Sequence, residues 1–115
     1  DRYIADPLCG WNATVSMWRD VFELIYAGAT AGNLARLPKA LPIHLVGGAR
    51  DPATDRGEAV KWLEARMREA GLARVTLQIL PDTRHETLNE INRDQSMQDF
   101  AAWLDAVLPA AAPRP

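Results

Sequence analysis

Two short apolar runs separated by one amphipathic stretch constrain this chain more than any other feature. The first, "LPIHLVGG", sets Ile43, Leu45 and Val46 between Pro42 and a glycine pair. The second, "ARVTLQILP", alternates Val75, Leu77 and Ile79 and is closed by Pro81. Short apolar runs with such punctuation read as β-strands, the first of them covered on both faces. Between them, "DRGEAVKWLEARMREAG" repeats Ala59, Val60, Leu63, Met67 and Ala70 at the three-and-four spacing of a single helical stripe. Gly71 stands where a C′ residue belongs, and Asp55 with Glu58 three residues on has the pattern of a capping box. Strand, helix, strand with short connections predicts parallel strands joined by a right-handed crossover. The fold class is therefore α/β.

The flanks complete the order. Residues 1–13 read as loop. From Thr14 to about Ala29 the stretch "TVSMWRDVFELIYAGA" is apolar over most of its circumference, so a helix there wants burial on more than one side. "NLARL" adds a short turn before Pro38, a short helix is expected from Glu86, and a last helix runs from about Ser96 to Val107. Two strands do not make a self-sufficient sheet. The expectation is the C-terminal part of a larger α/β domain, which would self-associate if isolated. The tail "PAAAPRP", residues 109–115, reads as frayed, and "DRYIADPLCG" carries no start signal, as if Asp1 followed a cut.

Composition removes whole classes of function. With a formal net charge of -2 there is no basic footprint for nucleic acid. Cys9 is the single cysteine, which excludes an internal disulfide framework and points to a reducing compartment, the cytoplasm. One cysteine and two scattered histidines do not make a structural zinc site, and no metal or organic cofactor is implied. No apolar run approaches the ~18 residues of a transmembrane segment.

Chemistry concentrates where the two strands end. Asp51 follows the first strand in "GGARDP", and His85 follows the second in "DTRHE". Parallel neighbours bring both to one edge of the sheet, the edge where open α/β sheets bind ligands. An Asp and a His at adjacent strand ends can share a hydrogen bond through Nδ1–H. The carboxylate then fixes the tautomer while Nε2 takes a proton from a nucleophile. Taken singly, Asp51 could be a turn former before Pro52, and His85 a plain loop histidine. His44, inside a strand, reads as a structural histidine. Glu86 and Asn89 read as helix-start and loop-fixing groups. Trp62 is explained only if its helix flank faces a covered surface.

"DPLCG", "GGARDP" and "ILPDTRHETLNEINRD" followed by "FAAWLD" together resemble the C-terminal part of α/β-hydrolase-fold serine hydrolases, in the lysophospholipase and monoacylglycerol lipase branch. The run R-H-E-x-L-N-E-x-N carries most of this resemblance. It implies that residues 1–38 are the end of a cap or lid region and residues 39–108 the last strand-helix-strand-helix of the core. It also implies that Asp51 is the triad acid, His85 the triad base, and the substrate a lipid-like ester of a long-chain acyl group. Asp82 and Thr83 stand where family members show Gly and Ala, and Ala49 replaces a polar residue. The family nucleophile is a serine in a G-x-S-x-G elbow between strand and helix. Ser16 and Ser96 lie in no such elbow, and Cys9 in "DPLCGWN" lacks the preceding apolar strand and second glycine. The nucleophile is thus expected in an upstream part of the same fold, and this chain alone is expected to be inactive. The alternatives are a non-catalytic binding or scaffold module, or a peptidase, carboxylesterase or haloperoxidase of the same fold.

Overall fold

The computed structural model describes residues 2–108, with side chains from residue 4 onward, so the 109–115 tail lies outside the described residues. The chain runs through α1 (Arg2–Ala5), α2 (Val15–Gly28), α3 (Ala31–Ala35), β1 (Ile43–Gly48), α4 (Glu58–Glu69), β2 (Val75–Leu80) and α5 (Arg93–Val107). The two strands pair in parallel, from Ile43 opposite Val75 to Gly48 opposite Leu80. The strand-helix-strand unit read from the apolar pattern is therefore present.

Side chains alternate across the pleat, so the sheet has two faces with different neighbours. On one face Gly47 lies against Val60 of α4, and Ile79 against Gly57 at the start of that helix. On the other, His44 stacks on Trp103 of α5 with ring centroids 5.0 Å apart, and Gln78 Nε2 donates to Asp99 Oδ2 at 2.7 Å. His44 is thus a packing residue, its Nδ1 2.8 Å from Thr76 Oγ1. Leu34, Leu72, Val75 and Leu80 form the buried apolar core. Lys39 ties its lower end together, donating to Ala35 O at 3.0 Å and Ala70 O at 2.8 Å. A cation there also suits the partial negative charge at the end of α4.

Several expectations are corrected. The segment before α2 is not all loop, because Arg2–Ala5 forms a short helix. Asp55 does not cap α4. The cap is Gly57 at φ +91°, and Asp55 and Arg56 take left-handed φ of 48° and 56°. The physical reason lies upstream: Arg56 N–H donates to Asp51 O at 2.8 Å, which curls residues 51–56 back on themselves before the helix can start. No helix forms from Glu86. A turn closes there instead, with Asn89 N–H donating to Glu86 O at 2.8 Å, and α5 begins earlier than expected, at Arg93. Trp62 is exposed, with the Arg66 guanidinium 5.6 Å from its ring centroid. The apolar circumference of α2 is not buried: Val15, Trp18, Phe22, Leu24, Ile25 and Tyr26 are all exposed. A two-stranded sheet has only two faces, and α4 and α5 occupy them. No helix among the described residues is long and apolar enough to cross a membrane.

Candidate active site

The site is built by two loops leaving the same end of the sheet. The first loop follows β1. Asp51 N–H donates to Gly48 O at 3.2 Å, and a short 3-10 turn, Pro52–Thr54, starts on the Asp51 side chain. Asp51 is almost wholly buried, at 2% exposure, yet its carboxylate is fully engaged. Oδ1 accepts from Ala53 N–H at 2.9 Å, and Oδ2 accepts from Thr54 Oγ1 at 2.8 Å. His85 Nδ1 lies 3.1 Å from the same Oδ2. Burial alone would push the Asp51 carboxyl up. The hydrogen bonds from His85, Thr54 and Ala53 together outweigh it and hold the group below the ordinary carboxylate value.

That ionised carboxylate has only acceptors to offer, so His85 Nδ1 must carry the proton and donate. In the neutral imidazole Nε2 then has no hydrogen and keeps its lone pair, the form a general base requires. The His85 side chain is 70% exposed and lines an open cleft of about 650 Å³, a volume within the usual range of small-molecule sites. Asp6, Cys9, Arg84, Asn89 and Arg93 contribute further walls of the cleft.

The second loop, which carries His85, is fixed by contacts the sequence reading did not anticipate. Thr83 is fully buried; its carbonyl accepts from Arg50 N–H at 2.9 Å, and its hydroxyl accepts from Asn92 Nδ2 at 2.9 Å. Asp82 meets Arg50 Nη2 at 2.8 Å, an exposed pair that again bridges the two loops. Asp82 and Thr83 are therefore the residues that tie the histidine loop to the aspartate loop. The signal was available in "ARDP" and "PDTR", where opposite charges sit at matching strand ends, but pairing them requires the parallel register.

The structure thus brings Asp51 and His85 together and keeps the serines apart from them. Ser16 is exposed on α2, 3.0 Å from Thr14 Oγ1, and Ser96 is buried in the first turn of α5. Neither lines the cleft. Cys9 does line it, but no hydrogen bond joins it to His85 among the described residues.

The low carboxyl value of Asp51 has a stability consequence. A group whose folded-state pKa is depressed stabilises the fold above its unfolded value, and that contribution is lost as pH falls through the folded value. The full-length protein should therefore lose stability toward acid more steeply than its Asp51→Asn variant. Urea midpoints from about pH 5 down to about pH 2 measure this, since the unfolded carboxyl titrates near 3.9. Equal slopes for the two proteins would show that the carboxylate is not held as described.

Comparison with curated proteins and with solved structures returns no match. A family model does match, over residues 1–92, and its description is serine aminopeptidase, S33. The match takes in both loops and both strands, and with the mixed architecture and small parallel sheet it fits a part of the α/β-hydrolase fold. Over most of its length, then, this chain belongs to the S33 serine aminopeptidase family of the α/β-hydrolase superfamily.

Proposed function

We propose that this chain supplies the acid and the base of a serine-hydrolase triad, Asp51 and His85, to a site that cleaves carboxylic esters of long-chain acyl groups such as lysophospholipids or monoacylglycerols. The observation that carries the reading is the 3.1 Å contact between a buried carboxylate and a cleft histidine whose Nε2 has no hydrogen-bond partner among the described residues. In this reading a serine outside residues 1–115 attacks the ester carbonyl and His85 takes its proton. His85 then returns the proton to the leaving alcohol, and water repeats the cycle on the acyl-enzyme. Asp51 stays ionised throughout, orienting the ring and stabilising the imidazolium. Residues 1–38 are read as the end of a cap and residues 39–108 as the last part of the core. The acyl preference is supported by the R-H-E-x-L-N-E-x-N run of residues 84–92 and by the apolar side chains displayed along α2, a surface suited to a hydrocarbon chain.

A second reading, an aminopeptidase, is favoured by the description of the matched family. Full-length protein assayed on p-nitrophenyl esters of increasing acyl length, beside amino-acid p-nitroanilides, separates the two. The ester reading expects kcat/KM to rise at least about tenfold from acetyl to decanoyl, as a few buried methylenes allow. Hydrolysis of the anilides alone would overturn it.

A further inference from the structure

We propose that Glu90 is a positioning residue for His85, fixing the backbone on which the imidazole stands; this rests on the reading of His85 as the base. Among the described residues His85 makes no backbone hydrogen bond of its own, so its placement depends on its neighbours. On the N-terminal side the neighbour is Arg84, whose backbone N–H donates to Glu90 Oε1 at 3.2 Å. The same oxygen lies 3.4 Å from Arg84 Nε. One carboxylate oxygen therefore receives both the main chain and the side chain of the residue preceding the histidine.

Glu90 is built for this rather than for display. Its side chain is 12% exposed, although it carries a charge, while that of Arg84 is 68% exposed. A charge held so far from water needs a partner and a hydrogen bond, and Arg84 supplies both. The backbone of Glu90 is anchored independently, since its carbonyl accepts from Arg93 N–H at 3.1 Å, at the first residue of α5. The chain of contacts runs from α5 to Glu90, from Glu90 to Arg84, and from Arg84 across one peptide to His85. Loop closure by Thr83 and Asn92 holds the start of the loop, and Glu90 holds its middle. A misplaced imidazole loses its line to the nucleophile before it loses contact with solvent, so the effect belongs in kcat.

The test uses full-length protein and a p-nitrophenyl ester. Glu90→Ala should lower kcat about 10- to 100-fold with KM within about twofold, the scale of a small misplacement at a reacting centre. Glu90→Gln, whose amide oxygen still accepts from Arg84 N–H, should restore kcat to within about threefold. The His85 Nδ1 proton resonance should be sharp in the wild type and in Glu90→Gln and broadened in Glu90→Ala. If Glu90→Ala does not fold, Glu90→Met keeps the bulk without an acceptor and carries the same expectation. Several results would overturn the proposal: unchanged kcat in the acceptor-less variant, a Gln variant as impaired as that variant, or a change in KM alone, which would make Glu90 a substrate contact. His85→Ala, run beside them, separates the two claims. If it is inactive and Glu90→Ala is not impaired, only the Glu90 proposal falls; if it is fully active, the base assignment falls and this proposal with it.

Discussion

Replacing His85 with alanine in the full-length protein should lower kcat by roughly 10⁴- to 10⁶-fold while leaving KM within a few-fold, the range seen when a triad base is removed. The expectation is this large because nothing else in the described residues can do the work. Asp6, Glu86 and Glu90 line the same cleft, but a carboxylate is a much weaker base than an imidazole. His44 is committed to Thr76 and Trp103 on the α5 face of the sheet. Asp51 is buried behind the imidazole, and removing the ring leaves its Oδ2 with Thr54 as its one remaining side-chain donor. The imidazole contributes nothing to the core, since its side chain is mostly exposed, so the variant should keep its fold, which far-UV circular dichroism checks. Combining it with Asp51→Asn should add little further loss, because the two groups act as a unit. Retention of activity within tenfold of wild type would remove His85 from the chemistry.

How much of this was legible in advance differs between periodic and local signals. The period-two run of β2 and the three-and-four stripe of α4 survive because each packs one side against the other, with Ile79 against Gly57 and Val60 against Gly47. The meeting of Asp51 and His85 follows from the parallel pairing of the two strands, which carries two strand ends to one place. The start of α4 was not legible. Asp55 and Glu58 have the spacing of a capping box, but the Arg56 N–H to Asp51 O bond takes the backbone first and leaves Asp55 in a left-handed conformation. Thr83 and Glu90 were not legible as supports either. Their partners, Arg50 and Asn92 for Thr83 and Arg84 for Glu90, become visible only once the loop is folded over the strand end. The burial of α2 was expected from its composition alone, but composition says what a helix requires and not what is there to cover it. Helix α2 packs on α3, with Met17 and Val21 half-buried, while Val15, Trp18, Phe22, Leu24, Ile25 and Tyr26 stay exposed.

The glycine pair that ends β1 joins fold and site, and its two members should behave differently on substitution. A Cβ at Gly47 would stand 2.9 Å from Val60 Cγ2, a methyl group that can move a few tenths of an ångström with α4. Gly47→Ala should therefore cost about 1 kcal/mol, the low end of overpacking. A Cβ at Gly48 would instead collide with the backbone of Thr83 and the carbonyl of Arg84. That backbone has nowhere to go, because the Thr83 carbonyl is bonded to Arg50 N–H, the Thr83 hydroxyl to Asn92, and Arg84 N–H to Glu90. Accommodating one methyl group means breaking at least one of these bonds or parting β1 from the loop, so Gly48→Ala should cost at least about 3 kcal/mol, the upper range of overpacking. The same displacement would carry His85 away from Asp51, so the fraction that still folds should have lost most of its turnover. Urea midpoints and kcat of both alanine variants, measured on full-length protein, test this together. A Gly48→Ala variant as stable and active as Gly47→Ala would show that the histidine loop does not rest on the end of β1.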